Sequence, residues 1–376
     1  MGQHRFAPQR LHAIRNGAHE VIRDTANLRS GAVAPVFRQV EHSAPFTVPV
    51  RNRAFLAGSA HDSFPETVPD VGEMIPTLAA SRVDCPRPVL AAAVRAVIDA
   101  ALPEFGGVLL RGLRLTDKAS FEQVVADLEY ARVGYQGGIA VRKNDSGVAL
   151  SASQEDHRIT LSPHNEMAYL PQYPRKIFFF CETAALHGGE VPISDIREAV
   201  KGIPRHIQDA LRARGVRYYR NLARVSSRGE MGWVETFGTD DKGLVQQHLL
   251  ASGYECQWGE NDRLRYHYYR DAFIAHPETG EELWFNQVTE LHCSYWRSHP
   301  DFPADRPDHE YPATTAYGDG TGFDPDLISF LRGALWRTTR AVRMKRGDVL
   351  VLDNQVLQHG RFAYEGPRRH FVSLTR

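Results

Sequence analysis

His164 and Glu166, separated by Asn165, carry side chains that are strong ligands for a transition metal. A histidine far downstream, His359, completes a set of two imidazoles and one carboxylate. Such a set covers one face of an octahedral Fe(II) ion and leaves three adjacent positions for a bidentate cosubstrate and O₂. In a strand, residues i and i+2 point to the same side, about 6–7 Å apart, so His164 and Glu166 can hold one ion. The spacing predicts a non-heme iron site.

The residues around this set carry the rest of the local evidence. The chain has 17 histidines, so one His-x-Glu triplet is weak evidence by itself. His359 follows an apolar strand at 348–352, where capping a loop is an alternative role. Arg368 and Arg369 open the final strand, and a guanidinium there is suited to hold a carboxylate bidentately. Because strand side chains alternate, only one of the two arginines should face the iron.

Composition excludes several classes of protein. The 376 residues contain 45 Lys and Arg against 45 Asp and Glu, so no basic excess predicts nucleic acid as a partner. The four cysteines form no C-x-x-C pair and are typical of reduced thiols, and no secretory signal or membrane-spanning stretch is visible. These features predict a cytoplasmic protein that does not bind nucleic acid.

The elements that must position the site form two regions. Residues 1–58 are predicted to be an N-terminal extension, helical in part around 11–28, that packs on the domain, contacts a second copy or covers the site. Residues 59–376 are predicted to be one domain. Helical periodicity at 89–102 and 117–128 indicates a helical layer. Beyond residue 130, short strands interrupted by three helices, at 204–215, 239–253 and 324–335, indicate a sandwich or barrel.

Several ordered motifs resemble one known family, over roughly residues 60–376. They are PHNEMAYLPQYPRKIFFFC at 163–181, GGEVPISDIR at 188–197, WFNQ at 284–287, YGDG at 317–320, DNQVLQHGR at 353–361 and EGPRR at 365–369. The chain resembles the taurine dioxygenase-like (TauD/TfdA) family of Fe(II)/2-oxoglutarate-dependent oxygenases. Within it, the motifs are similar to the subgroup that includes the aspartate hydroxylase of the syringomycin cluster.

The resemblance implies a mainly β fold with flanking helices, a double-stranded β-helix (jelly roll) with helical insertions. It implies Fe(II) held by His164, Glu166 and His359, with 2-oxoglutarate as cosubstrate and O₂ as oxidant. It also makes Arg369 the partner of the distal carboxylate of 2-oxoglutarate, with Arg368 as the fallback.

Two positions depart from the common family pattern. A threonine that helps to hold 2-oxoglutarate usually follows the Gly-Gly-acidic turn, and this chain has Val191 there. A missing hydrogen bond typically costs about 0.5–1.5 kcal/mol, so Val191 is expected to weaken cosubstrate binding. The ligand Glu166 replaces the commoner aspartate, and an acidic ligand at this position argues against halogenation.

The implied reaction is hydroxylation of an unactivated C–H bond in an amino acid or amino-acid derivative, free or tethered to a carrier protein, in specialised metabolism such as antibiotic biosynthesis. Desaturation, epoxidation or cyclisation on the same scaffold is the alternative, as is a non-catalytic protein that binds 2-oxoglutarate or metal. Candidate substrate residues are Asn286 and Gln287, two amides among aromatics, and Tyr169, for which packing is an equal alternative. Assembly into a homo-oligomer is left open.

Overall fold

A computed structural model describes residues 37–40, 45–81, 83–135, 137–139, 148–227 and 230–376. The stretch at 11–28, predicted to be helical, lies outside the described residues. Among the described helices, none is long and apolar enough to cross a membrane.

Short strands dominate the described part of the chain. In chain order they are β1 (Phe37–Gln39), β2 (Thr47–Pro49), β3 (Thr67–Pro69), β4 (Thr77–Ala80), β5 (Gly107–Arg111), β6 (Leu150–Ser151), β7 (Leu161–His164), β8 (Lys176–Thr183), β9 (His187–Gly188), β10 (Val191–Asp195), β11 (Val216–Leu222), β12 (Glu255–Trp258), β13 (Leu264–Arg270), β14 (Phe273–Ala275), β15 (Glu282–Trp284), β16 (Ala313–Tyr317), β17 (Thr339–Val342), β18 (Val349–Asp353), β19 (Leu357–Arg361), β20 (Tyr364–Glu365) and β21 (Arg369–Thr375).

The helices flank or interrupt these strands. Of the eight that the structure describes, five lie close to predicted positions, whereas the short helices at 196–199, 233–237 and 293–298 were not predicted. They are α1 (Arg87–Phe105), α2 (Lys118–Asp127), α3 (Ile196–Ala199), α4 (Arg205–Arg214), α5 (Trp233–Phe237), α6 (Lys242–Ala251), α7 (Cys293–Ser298) and α8 (Pro325–Arg337). Asp117 begins α2 with a capping box, in which its side chain accepts a hydrogen bond from the Ser120 amide.

Two sheets face each other and form the jelly roll. The large sheet has the order β1-β4-β5-β18-β8-β21-β6, and the small sheet has the order β17-β10-β19-β7. All these pairings are antiparallel except that of β4 with β5. The double-stranded β-helix with helical insertions is thereby confirmed.

Strand β8 shows why the sequence folds into these layers. Phe178 and Phe180 point outward and pack against α1 and α2, whereas Ile177 and Phe179 point into the space between the sheets. Both faces of the strand are therefore buried, which explains its continuous apolar run. The inner core between the sheets holds one wall of the site.

The N-terminal boundary differs from the prediction. Strand β1 pairs with β4 at the edge of the large sheet, and β2 pairs with β3. Val48, Val50 and Leu56 are buried in a small core with Trp336 and Phe362. Residues 37–40 and 45–58 therefore belong to the domain, because their apolar side chains fill its core. The part of the predicted extension at 1–36 lies outside the description.

A third sheet, with the order β12-β13-β11-β16, is inserted between β10 and β17. Tyr218 on β11 stacks with Tyr268 on β13 and packs against Tyr169, which follows the His-Asn-Glu triplet. The insertion thus contacts the segment directly after the candidate metal ligands.

Candidate iron and 2-oxoglutarate site

The two candidate histidine ligands lie opposite each other in the small sheet. His164 ends β7, and His359 on β19 is its register partner, with ring centroids 4.6 Å apart. Glu166 Oε2 is 3.6 Å from His359 Nε2, and the ligand atoms of the three residues lie within 4.8 Å of one another. The structure therefore brings together the set of two imidazoles and one carboxylate that the sequence predicted.

Gly360 permits this pairing. The register between β19 and β7 shifts directly after His359, and a Cβ atom on Gly360 would lie 2.2 Å from the Leu161 carbonyl oxygen. Real Cβ atoms do not approach that closely, so any side chain would push the two strands apart.

Glu166 is held by a turn, and the expectation that strand alternation aims it at the ion is wrong. Strand β7 ends at His164, and Met167 has a φ angle of 58°, in the left-handed region that bulky residues rarely adopt. The side chain of Asn354, between β18 and β19, forms hydrogen bonds with the backbone of this turn. The Glu166 amide donates to Asn354 Oδ1 at 2.7 Å, and Asn354 Nδ2 donates to the Glu166 carbonyl oxygen at 2.9 Å.

Further amides fix Asn165, the middle residue of the triplet. Its Nδ2 donates to the Asn354 carbonyl oxygen at 2.6 Å. Gln287 Nε2 donates to the Asn165 carbonyl oxygen at 2.6 Å, and Gln358 Nε2 donates to Asn165 Oδ1 at 3.1 Å. Because Asn165, Asn354 and Gln358 are fully buried, these hydrogen bonds form without competition from water. We call Asn165, Gln287, Asn354 and Gln358 the amide clamp.

The protonation states suit metal binding. His164 Nδ1 lies 2.8 Å from the Ser162 carbonyl oxygen and donates to it, so Nε2 keeps its lone pair for a metal. Burial lowers the pKa of His164, and the nearby His359 lowers it further, which favours the neutral imidazole. His359 Nδ1 is buried and has no hydrogen-bond partner among the described residues. This donor set fits Fe(II).

A cavity of about 290 Å³ opens beside the three ligands. Small-molecule sites usually measure about 300–1,000 Å³, so this cavity suits compact ligands. Besides the ligands, its walls include Tyr169, Val191, Gln287, Glu290, Arg361 and Arg368.

Of the two adjacent candidates, Arg368 lines the cavity and Arg369 does not, so the preference for Arg369 is wrong. Arg369 points to the opposite face of the large sheet, where its side chain is 68% exposed and donates to Glu182 at 3.0 Å. The prediction that Arg368 and Arg369 point to opposite faces of the sheet is correct, but the prediction of which face lies toward the cavity is wrong. Phe371, on the face of Arg369, packs with the helical layer, whereas Val372 packs between the sheets.

Arg368 is oriented by two hydrogen bonds that leave part of its guanidinium available. Its Nε donates to the Gly189 carbonyl oxygen at 3.0 Å, and its Nη2 donates to His370 Nδ1 at 3.0 Å. Burial, followed by the charge of Arg361, lowers the pKa of Arg368 to about 10. The side chain therefore stays cationic at neutral pH.

The Gly-Gly turn brings Val191 close to Arg368. Gly188 and Gly189 have φ angles of 71° and 74°, and a Cβ atom on Gly188 would lie 2.2 Å from the Ala363 carbonyl oxygen. A Cβ atom on Gly189 would meet the Arg368 side chain at 3.0 Å. Val191 then begins β10 and lines the cavity with an isopropyl group. The cavity has no hydroxyl at this point.

The three candidate substrate residues separate into different roles. Tyr169 lines the cavity, and its hydroxyl accepts a hydrogen bond from the Ile139 amide at 2.8 Å. Gln287 lines the cavity and belongs to the amide clamp. Asn286 is absent from the cavity wall. Its side chain donates to the Ala272 carbonyl oxygen at 2.8 Å and accepts from the Val288 amide at 3.0 Å. A ligand is therefore not needed to satisfy Asn286.

Sequence reasoning missed Glu290 and Arg361. Glu290 follows Gln287 by three residues, and Arg361 follows His359 by two, so their proximity to recognised residues was the available signal. Arg361 donates to the carbonyl oxygens of Glu155 and Ile159 at 2.9 and 2.8 Å, which fixes the loop before β7.

Comparison with known proteins agrees with this geometry. Residues 70–375 match the family model described as taurine catabolism dioxygenase TauD, TfdA family. The chain belongs to this family. The dapdiamide synthesis protein DdaC of Enterobacter agglomerans is 30% identical over 283 residues, which cover 74% of this chain and 84% of DdaC. A clavaminate synthase-like protein of Arabidopsis thaliana is 29% identical over 286 residues, with 74% and 84% covered.

Among solved structures, PvcB from Pseudomonas aeruginosa overlaps 90% of this chain and 94% of its own, with 15% identity and a TM-score of 0.45. The TauD/TfdA match and the His-Glu-His cluster establish the enzyme class. The protein is an Fe(II)- and 2-oxoglutarate-dependent dioxygenase that consumes O₂.

Proposed function

We propose that this TauD/TfdA enzyme binds Fe(II) through His164, Glu166 and His359 and binds the distal carboxylate of 2-oxoglutarate through Arg368. We further propose that it hydroxylates an unactivated C–H bond of a small amino acid or amino-acid derivative. The observation that carries the proposal is the convergence of three metal ligands and the Arg368 guanidinium on a single cavity.

Each cosubstrate has a defined place in this proposal. When bound, Fe(II) and 2-oxoglutarate supply with O₂ the oxidant that takes hydrogen from a C–H bond, and 2-oxoglutarate leaves as succinate and CO₂. Arg368 suits the distal carboxylate because a guanidinium presents its donors in a planar fork. Its Nη1 has no partner among the described residues, and its other bonds fix the plane of the group. Val191 contributes shape only.

The chain's own residues position the reactants and exclude water. The amide clamp fixes the backbone of the Glu166 turn, and Ser162 fixes the ring of His164. Phe179 and Leu291 provide apolar walls, which keep water from the reacting bond. Preorganisation of this kind is the protein's main contribution when a cofactor carries out the chemistry.

The substrate class is supported by the resemblance in the sequence motifs and by the compact cavity. The name of the relative DdaC refers to dapdiamide synthesis, in line with a role in specialised metabolism such as antibiotic biosynthesis. Presentation of the substrate on a carrier protein and homo-oligomer formation stay predictions. A cytoplasmic location also stays a prediction, supported by four cysteines that are all free.

The test is turnover with an amino-acid panel. Purified protein is loaded with Fe(II), 2-oxoglutarate and O₂, and succinate and product mass are measured for each amino acid. We expect one amino acid to stimulate succinate formation and to gain one oxygen atom. Loss of two hydrogens would instead assign desaturation or cyclisation. Intact iron and 2-oxoglutarate binding without stimulation by any panel member would contradict the proposed substrate class, and His164→Ala controls for free iron.

A further inference from the structure

Glu290 is a cavity-lining acid that the proposed function does not use. It lies between β15 and α7, and its side chain lines the cavity together with His164. Glu166 and His359 line the same cavity, so Glu290 faces the space that holds the three metal ligands.

The Glu290 carboxylate has few partners of its own. Among the described residues, its hydrogen bonds come from its neighbour Thr289, whose Oγ1 lies 2.7 and 2.8 Å from the two carboxylate oxygens. Other acids on this wall are paired: Glu155 lies 3.1 Å from His299 Nε2, and Asp156 forms an ion pair with Arg158. A carboxylate offers about four acceptor positions, so a single hydroxyl leaves Glu290 with spare capacity.

The charges in the cavity are distributed unevenly. Arg361 and Arg368 are neighbours on the cavity wall, since their guanidinium carbons lie 5.1 and 5.6 Å from the centroid of the same Tyr364 ring. The acids that act most on Arg361 are Glu155 and Asp156. The cavity therefore has a cationic part around Arg368, suited to 2-oxoglutarate, and an anionic part at Glu290.

Arg332 provides a competing structural explanation for Glu290. This arginine is 3% exposed, and Glu290 is the carboxylate that acts most on its charge. However, Arg332 donates to Ser294 Oγ at 2.9 Å and to the Thr289 carbonyl oxygen rather than to Glu290. Glu290 therefore stabilises the positive charge of Arg332 through space, without a direct hydrogen bond. Its carboxylate oxygens stay available to a ligand.

We propose that Glu290 binds the ammonium group of the substrate, so that the cavity selects primary amines over analogues of the same length that lack the amino group. The inference rests on the proposed function, since it names the group by which an amino acid is recognised. A hydrogen bond between charged groups is worth roughly 10- to 100-fold in affinity. Glu290 therefore determines specificity, and Arg368 holds the cosubstrate.

The test compares Glu290→Gln with the wild-type protein on matched ligand pairs. The pairs are L-asparagine with succinamic acid and L-leucine with 4-methylpentanoic acid, which differ only in the amino group. Affinities are measured by calorimetry on the full-length protein loaded with Fe(II) and 2-oxoglutarate without oxygen. Glu255→Gln is the control, because it removes the same charge from a side chain that is 82% exposed.

We expect the wild-type protein and Glu255→Gln to prefer at least one amino acid over its partner. Glu290→Gln should lower that preference by roughly 10- to 100-fold while the affinity for 2-oxoglutarate stays within twofold. An unchanged preference in Glu290→Gln would overturn the assignment. The assignment would also be overturned if Glu290→Gln lost stability and 2-oxoglutarate affinity but kept the preference for the amino acid. That result is expected if Glu290 serves only to stabilise the charge of Arg332.

Failure of the wider proposal gives a different result. If the wild-type protein turns over 2-oxoglutarate but binds neither member of either pair, the amino-acid class is wrong and the role of Glu290 fails with it. If the wild-type protein binds the acids without amino groups equally well, only the ammonium assignment fails.

Discussion

Replacing Arg368 by methionine removes the guanidinium proposed to bind 2-oxoglutarate while keeping an unbranched side chain of similar length. The matched control is Arg369→Met, in which the same substitution falls on the adjacent residue. Because Arg369 is 68% exposed and pairs with Glu182 on the outer face of the sheet, its loss should not reach the cavity. The two variants therefore separate the two faces of β21.

The expected size of the effect on 2-oxoglutarate affinity follows from the burial of the Arg368 guanidinium. Removing one partner of a buried, hydrogen-bonded charge pair costs about 2–5 kcal/mol, which corresponds to roughly 30- to 4,000-fold in affinity. We expect Arg368→Met to raise the KM for 2-oxoglutarate by a factor in this range. Arg369→Met loses an exposed ion pair, worth at most about 1 kcal/mol of stability, and should leave that KM within twofold. Arg368→Lys should lie between them, because it keeps the charge but loses the fork.

The assay is the initial rate of succinate formation against 2-oxoglutarate concentration, with calorimetric affinities for 2-oxoglutarate as a check that does not depend on substrate. Thermal unfolding shows whether loss of the bond from Arg368 to Gly189 has disturbed the Gly-Gly turn. A large rise in KM for Arg369→Met combined with a normal value for Arg368→Met would refute the reasoning, since it would mean that the other face of β21 meets the cosubstrate.

Two further changes test other parts of the site, and a third tests a buried charge outside the cavity wall. Val191→Thr should lower the KM for 2-oxoglutarate about 2- to 10-fold by adding one hydrogen bond, and an unchanged KM would show that the hydroxyl cannot reach it. Asn354→Ala should lower Fe(II) affinity about 10- to 100-fold, measured by metal titration, because Glu166 loses its support; unchanged affinity would contradict the role of the amide clamp. Arg220 is 3% exposed, and its Nε and Nη1 lack partners among the described residues. Arg220→Met should therefore leave the free energy of unfolding unchanged or raise it by up to about 4 kcal/mol in urea titrations, and clear destabilisation would refute this.

The layers and the metal ligands could be predicted because their signals are short-range. Alternating apolar residues and helix start signals depend on neighbours within a few positions, and the capping box at Asp117 is one example. The His164-Asn165-Glu166 triplet, which contains two of the metal ligands, is likewise a local signal. His359 lies far from it in the sequence and was assigned its role through a resemblance that covers whole motifs.

The choice between Arg368 and Arg369 could not be made from alternation alone. Both faces of β21 are covered, one by the helical layer and the other by the small sheet, so each carries apolar residues. Phe371 on the helical side is as hydrophobic as Val372 on the inner side. Where both faces of a strand are buried, hydrophobicity does not identify the inner one, and the tertiary structure decides.

The position of Glu166 shows a second reason why sequence reasoning stopped short. In a strand, His164 and Glu166 would share a face automatically, and the ligand pair would need no outside support. In the structure, the left-handed φ angle of Met167 shows that the backbone turns here and does not continue as a strand. Glu166 is instead held by a hydrogen bond to Asn354, which lies 188 residues further along the chain. The histidines are thus set by strand pairing and the carboxylate by buried amides. Because the two supports are separate, damage to the amide clamp should misplace the carboxylate while leaving the histidine pair in register.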